Sequence, residues 1–339
     1  MSETSKEIKP TIHNRAITKE QLIRFFTARL TTLMLAILGV GAFLAIVRPR
    51  FLEPGNLASV FMWMTYTLVM AIGMTLILIL GGIDLSVGAV LGLTGVVTTM
   101  LMSKHQPYQL SPPLATALGL GAAAVCGVIN GLGVTKLKMA PFIVTLGMMS
   151  ITRGIATVWT QGWYISGLPD EYLVIGQGEI ADIVPYPVCI ALLLLIGFHY
   201  LLTQWKPLNQ IFYIGQNPEA AAMSGIAVNR LTFFTYMISG LLAGIAGIFM
   251  TSHLAMGFFQ FGVGGELDAI AAAVIGGASM TGGEGNLLGT FLAALLIAVI
   301  RNGFVLLGGD PRWQTLVQGL IVFAAIALDA YRRRREVKE

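Results

Sequence analysis

Residues 57–103 read LASVFMWMTYTLVMAIGMTLILILGGIDLSVGAVLGLTGVVTTMLMS, and Asp84 is the only charged residue in this stretch. A helix needs about 20 consecutive apolar residues to cross a bilayer, so the stretch is long enough for two crossings. A Gly-Gly-Ile-Asp sequence ending at Asp84 divides it into two apolar runs. The pattern predicts an all-α membrane protein.

The composition of the whole chain leads to the same class. Of 339 residues, 55% are hydrophobic and only 11% are charged, and the mean hydropathy is +0.77. A soluble domain carries about 25% charged residues, so this chain has too few to cover a water-exposed surface. The net charge of +4 comes from basic residues at the chain ends and in short loops. This distribution is typical of membrane flanks and excludes a nucleic-acid partner.

We predict a polytopic helix bundle with about ten membrane segments, some of them broken or half-helices. One transmembrane domain is expected over residues 30–331, after a cytoplasmic tail at 1–29 with a possible interfacial helix and before a basic cytoplasmic tail at 332–339. The predicted segments are 30–47, 57–83, 85–103, 114–135, 139–161, 183–205, 231–265, 269–283, 285–300 and 313–328.

The lysines and arginines indicate how the segments are oriented. With a cytoplasmic N-terminus, most of them lie in cytoplasmic loops and tails, as the positive-inside rule requires. The longest loop on the other side, 162–184, has four acidic residues and no Lys or Arg, and is predicted to be extracytoplasmic. Both chain ends are then cytoplasmic.

Two pairs of similar stretches suggest an internal repeat. Gly81–Leu85 resembles Gly264–Asp268, and Val128–Gly131 resembles Val299–Gly303, in the same order along the chain. In the predicted topology the two members of each pair lie on opposite sides, which indicates an inverted repeat of five plus five segments. Asp84 and Asp268 are expected to cap broken helices within it. Similar composition of Gly/Ala-rich helices is the alternative explanation.

Sequence motifs for catalysis are missing. The chain has no G-x-x-x-x-G-K-[ST] phosphate loop, no H-E-x-x-H, no G-x-S-x-G and no Cys/His cluster, so neither ATP hydrolysis nor a metal site is predicted. Asp84, Asp268 and Glu284 lie at the boundaries of apolar runs, whereas ion-coupled carriers place ionisable residues within spans. Arg153 and Arg301 remain unexplained, with snorkelling or pairing with one of these carboxylates as the first interpretation and a role in substrate binding as the alternative. A separate ATPase is the natural energy source.

The loop between the sixth and seventh segments, 203–230, is the predicted coupling loop. Its residues 215–226 read GQNPEAAAMSGI, in which Asn217 is placed to cap a short helix that begins at Pro218. A helix held outside the membrane between two spans can be gripped by another protein. An ordinary surface helix is the alternative.

Several segments together resemble the permease subunits of bacterial ABC importers for ribose and related monosaccharides. The residues that carry the resemblance are Gly81–Gly88 (GGIDLSVG), Ala140–Gly147 (APFIVTLG), Gly215–Ile226, Glu266–Ala272 (ELDAIAA), Val274–Gly277 (VIGG) and the glycines 282, 283 and 285. The resemblance covers roughly residues 30 to 330.

This resemblance implies an inner-membrane location and a pore made with a second permease subunit, identical or paralogous. It also implies a cytoplasmic ABC ATPase, which binds ATP and Mg²⁺ in place of this chain, and an extracytoplasmic sugar-binding protein. The coupling residues that it implies are Gly215, Asn217, Glu219, Ala220, Ala221 and Gly225. Glu219-Ala220-Ala221 with Gly225 matches the start of the EAA loop, whose Ile-x-Leu-Pro ending is absent here. A bulky residue at Gly225, or arginine at Glu219, should abolish uptake without removing the protein from the membrane.

A neutral sugar requires hydrogen-bonding groups and aromatic faces along its route. The candidate residues for that route are Asn130, Phe142, Thr145 and Asn302. A self-sufficient ion-coupled carrier and an intramembrane enzyme are the alternative classes. Other pentoses, hexoses, sugar alcohols, a furanosyl signalling molecule and, more distantly, branched-chain amino acids are the alternative substrates.

Overall fold

The computed structural model describes residues 19–181 and 184–310, together with residues 313, 316, 318–320 and 323. Within these residues the chain forms thirteen α-helices, one short 3-10 turn at Pro49–Leu52 and a two-stranded antiparallel hairpin of β1 (Glu179–Ile180) and β2 (Val184–Pro185). The helices are α1 (Lys19–Val47), α2 (Pro54–Ile79), α3 (Val87–Met102), α4 (Pro112–Thr135), α5 (Pro141–Thr160), α6 (Asp170–Gln177), α7 (Tyr186–Gln204), α8 (Lys206–Asn209), α9 (Ile211–Gln216), α10 (Pro218–Met223), α11 (Val228–His253), α12 (Gly265–Gly276) and α13 (Leu287–Leu306).

Seven of these helices are long and apolar enough to cross a membrane, namely α1 from Arg29 onward, α2, α4, α5, α7, α11 and α13. Helices α3 and α12 have 16 and 12 residues and are shorter than a full crossing. The prediction of an all-α membrane bundle that includes half-helices is therefore confirmed. The predicted segment 313–328 and the tail 332–339 lie largely outside the described residues.

Two predicted boundaries differ from the structure. The interfacial helix expected before residue 30 is continuous with the first span, since α1 runs unbroken from Lys19 to Val47. The segment predicted over 231–265 ends at His253, and residues 254–264 form turns before α12. Ala255, just after α11, and Gly262 and Gly264, just before α12, have positive φ angles, a conformation that does not continue a helix although the surrounding residues are apolar.

Helix α2 forms the centre of the bundle. Every residue from Met64 to Ile79 is buried, as expected of a helix that is apolar on all sides. Its partner at the centre is α11, which approaches so closely that a Cβ atom added at Gly73 would lie 2.9 Å from the Cα of Ser239. Small residues allow this backbone proximity between membrane helices.

The helix contacts have the symmetry expected of an inverted repeat. Helix α2 of the first half packs against α12 and α13 of the second, while α11 of the second half packs against α3 and α4 of the first. The half-helix α3 begins beside the turn that precedes the half-helix α12, where Gly88 and Gly262 meet backbone to backbone. The two half-helices thus start next to each other inside the bundle.

The predicted extracytoplasmic loop is folded onto the end of α11. Its helix α6 buries Tyr172, whose hydroxyl lies 2.5 Å from the hydroxyl of Thr251. The Ser252 hydroxyl donates to the Tyr172 carbonyl at 2.6 Å and accepts from the Gly176 amide at 2.8 Å. Burial raises the pKa of Tyr172 above its usual range, so this side chain acts as a neutral hydrogen-bonding group.

Candidate functional site

Residues 205–227 fold onto one end of the bundle, which we call the loop end. Gly215 lies against the backbone of Ile79, the last residue of α2, and of Gly283, in the connection between α12 and α13. A Cβ atom at position 215 would overlap the carbonyl oxygen of Ile79 and the amide nitrogen of Gly283. The Gly283 amide also donates a hydrogen bond of 2.8 Å to that carbonyl. The loop is therefore in direct contact with the end of α2 and with the connection between α12 and α13.

The short helix α10 has the start that its sequence predicts. The side chain of Asn217 occupies the N-cap position and accepts a hydrogen bond of 3.0 Å from the Ala220 amide, and Pro218 is the first helical residue. Ala221 is buried, whereas Glu219 and Ala220 are exposed. One face of α10 thus attaches to the bundle and the other is open to a partner.

Gly225 ends this helix with a φ angle of +83°, and no heavy atom lies within 4 Å of where its Cβ would be. A side chain there would strain the backbone without creating a clash. Met223, next to this turn, is 90% exposed. Met223 is not among the predicted coupling residues, although an apolar side chain in a polar loop is a signal that could have identified it.

Asp84 lies in the turn before α3 and is fully buried. One carboxylate oxygen accepts hydrogen bonds from the Ser86 amide at 2.9 Å and the Ser86 hydroxyl at 2.6 Å, and the other accepts from the Ser239 hydroxyl at 3.1 Å. The Asn130 amide donates to the same Ser86 hydroxyl at 2.9 Å. In the described part of the chain, no lysine or arginine pairs with Asp84. Among the described residues, the hydrogen bonds from Ser86 and Ser239 are therefore what stabilises this buried carboxylate.

The predicted capping roles differ from the structure in detail. The N-cap position of α3 is Ser86, whose side chain makes no capping bond, and that of α12 is Gly264, which has no side chain to cap with. Asp84 instead fixes the turn through the amide and hydroxyl of Ser86. Asp268 lies inside the first turn of α12, where a negative charge interacts favourably with the helix dipole.

The four candidate pathway residues do not form one cluster. The Asn130 and Thr145 side chains are buried at the Asp84 turn, and the Thr145 hydroxyl lies 3.2 Å from the Ile83 carbonyl. Phe142 is half-exposed on the surface of α5. Asn302 lies at the other end of the bundle and exchanges hydrogen bonds of 2.8 and 3.1 Å with Asn56. The two repeat-related residues, Asn130 and Asn302, therefore lie at opposite ends of the bundle, as an inverted repeat requires.

Both arginines within the predicted spans have structural partners. Arg301 in α13 forms an ion pair of 3.2 Å with Asp268, and its guanidinium lies 5.9 Å from the ring centre of Trp63. The guanidinium of Arg153 in α5 donates to the carbonyl oxygens of Phe259 and Phe261. Each arginine therefore ties a long helix to α12 or to the turn before it.

A third arginine completes the support of α12. The guanidinium of Arg29 donates hydrogen bonds of 2.6 and 3.1 Å to the carbonyl oxygens of Val274 and Ile275 in the last turn of α12. A cation at this position adds hydrogen bonds to the last carbonyls of the helix and interacts favourably with the helix dipole. Among the described residues, no group of three or more His, Cys, Asp or Glu could hold a metal ion.

Replacing Arg301 with methionine should destabilise the protein by about 2 kcal/mol, because Asp268 would keep a buried charge without its partner. The double variant Arg301→Met with Asp268→Asn should recover most of that loss, since both charges are then removed. Thermal unfolding of the purified variants in detergent measures both values. Equal destabilisation by the single and double variants would show that the ion pair is not the cause.

A bundle of membrane spans around two opposed half-helices, with a folded loop fixed to one end, is typical of membrane transport permeases. The family model described as the permease component of the branched-chain amino acid transport system matches residues 56–326. The chain belongs to this family of ABC importer permeases, whose role is that of a membrane subunit and not of a catalyst.

The relatives of the chain include importers of sugars. The ribose import permease of Bacillus subtilis is 39% identical over 288 residues, covering 84% of this chain and 88% of the relative. The ribose import permease of Haemophilus influenzae is 34% identical, covering 86% and 90%. The autoinducer 2 import permease of an Enterobacter strain is 32% identical, covering 88% and 86%. The chain is therefore similar to sugar ABC permeases along most of its length.

Proposed function

We propose that this chain forms the transmembrane channel of an ATP-driven importer for a monosaccharide, with ribose as the first candidate. The names of the two ribose import permeases support ribose, and the name of the autoinducer 2 import permease supports a signalling molecule as the alternative. The chain supplies the gate, and a separate ABC ATPase supplies the energy. A second permease subunit and an extracytoplasmic sugar-binding protein complete the importer.

The contact of Gly215 with Ile79 and Gly283 is the observation that carries the coupling role. Closure of an ATPase pair displaces whatever it grips, and here that would be α10 with its exposed Glu219 and Met223. Because the loop touches the end of α2 and the connection of α12 to α13, such a displacement would reach both halves of the bundle. Rocking of one half against the other is the expected result.

Replacing Glu219 with arginine should reduce ATP-driven uptake at least tenfold while the protein remains in the membrane. The side chain is exposed, so the fold should tolerate the change, whereas an ATPase surface complementary to a carboxylate should reject a cation. Uptake by proteoliposomes that contain the complete importer measures the effect. Glu179→Arg is the matched control, because Glu179 is an exposed glutamate in the hairpin β1–β2 at the other end. Normal uptake by the Glu219 variant would refute the coupling role.

The sugar route is proposed to run along the exposed face of α5 between two permease subunits. Phe142, Leu146 and Ser150 lie on this face, and they combine an aromatic ring with a hydroxyl. Asn130 and Thr145 would then act from behind this surface by holding the Asp84 turn. The basic residues at the loop end support its placement in the cytoplasm, namely Lys136, Lys138, Lys206 and Arg230.

A further inference from the structure

A groove of about 530 Å³ opens beside the loop end, between α8 and α11. Its walls include Trp205, Leu208, Arg230, Leu231, Phe234 and Ile238. We call it the α8–α11 groove. Its volume falls within the range of about 300 to 1,000 Å³ that is typical of small-molecule sites.

The groove extends from the membrane boundary into the apolar layer. The span formed by α7 ends at Gln204 and the span formed by α11 begins at Val228, so Trp205 and Arg230 lie at the same boundary. The lining residues from Ala227 to Ile238 follow one face of α11. At a rise of 1.5 Å per residue, this face is about 16 Å long. Part of an acyl chain could therefore lie along it.

The mouth of the groove is cationic and the interior is apolar. Arg230 is exposed, and its guanidinium lies 5.9 Å from the ring centre of Phe234. In the described part of the chain, no carboxylate forms an ion pair with Arg230. Trp205 is 52% exposed beside it, as is common for tryptophan at the level of lipid headgroups.

We propose that the α8–α11 groove binds an anionic phospholipid of the adjacent leaflet. The phosphate would pair with Arg230, and one acyl chain would lie along Leu231, Phe234 and Ile238. The charge decides between possible occupants, because an apolar segment of a protein partner would leave the guanidinium unpaired. A cation at a membrane surface contributes about 1 kcal/mol toward an anionic lipid, which is about a fivefold preference over a zwitterionic one.

Brominated lipids test this proposal, because bromine quenches tryptophan fluorescence on contact. The full chain is placed in nanodiscs of phosphatidylcholine with increasing brominated phosphatidylglycerol or brominated phosphatidylcholine. The signal of Trp205 is the difference between the protein and its Trp205→Phe variant. Half-maximal quenching of Trp205 should occur at an about fivefold lower fraction of the anionic lipid.

Three variants make the test specific. Arg230→Gln should remove the preference for the anionic lipid, and Arg230→Lys should retain it. Lys136→Gln is the matched control, because Lys136 is an exposed cation at the same end that does not line the groove. Equal quenching by both lipids, or an equal effect of the Lys136 variant, would overturn the proposal. A Trp205 that neither lipid quenches would also overturn it, because a protein surface would then cover the groove.

Discussion

Replacing Gly215 with valine should abolish ATP-driven uptake. A Cβ atom at this position overlaps backbone atoms of Ile79 and Gly283, which cannot move aside as the end of a flexible side chain could. The loop must therefore separate from the bundle, at a cost of about 1–3 kcal/mol, which is typical of overpacking. Uptake in proteoliposomes with the complete importer should fall more than tenfold.

The control for this experiment is Gly197→Val. Gly197 lies in α7, and no heavy atom lies within 4 Å of where its Cβ would be, so this variant should transport normally. The ATPase activity of the assembled importer separates two explanations for the Gly215 variant. Loss of uptake with retained ATP hydrolysis indicates uncoupling, as the account predicts. Unchanged uptake would contradict the proposed connection between loop and bundle.

Replacing Asp84 with alanine should be the most destabilising single substitution proposed for this protein. It would leave the Ser86 amide, the Ser86 hydroxyl and the Ser239 hydroxyl without their acceptor. Hydrogen bonds to charged groups contribute about 1.5–3 kcal/mol each, so a loss of about 3–5 kcal/mol is expected after partial relaxation. Thermal unfolding in detergent and the yield of folded protein measure it.

Asparagine at the same position is the informative comparison. Asp84→Asn keeps an oxygen that accepts from Ser86 and removes a buried charge that no described cation neutralises. Its loss of stability should therefore stay within about 1 kcal/mol, because a lost hydrogen bond is offset by the avoided burial of charge. Equal losses for the alanine and asparagine variants would show that hydrogen bonds do not hold this turn.

The long spans could be predicted because each is a continuous run of apolar residues. The glycine and aspartate at positions 81 and 84 predicted the break before the first half-helix, and Asn217 with Pro218 predicted the start of α10. These features depend on neighbours in sequence, so the local pattern contains the information. The turn at residues 254–264 could not be predicted, because its aromatic residues continue the apolar pattern of a span, whereas positive φ angles at Ala255, Gly262 and Gly264 prevent a continuous helix.

The partners of buried polar groups could not be predicted. Ser239 meets Asp84 across 155 positions, and Arg29 meets the end of α12 across 245, so only the packed bundle brings them together. The partners of Asn130 and Asn302, which are Ser86 and Asn56, could not be predicted for the same reason. Periodicity assigns a residue to a helix, whereas the end of the bundle at which its side chain lies follows from the topology.

Reconstitution tests the central claim most directly. The purified chain is placed in liposomes alone, or with its ATPase and sugar-binding protein, and uptake of labelled ribose is followed with and without ATP and with an imposed ion gradient. Uptake against the concentration gradient only in the complete system with ATP is the predicted result. Accumulation by the chain alone, driven by the ion gradient, would contradict the account.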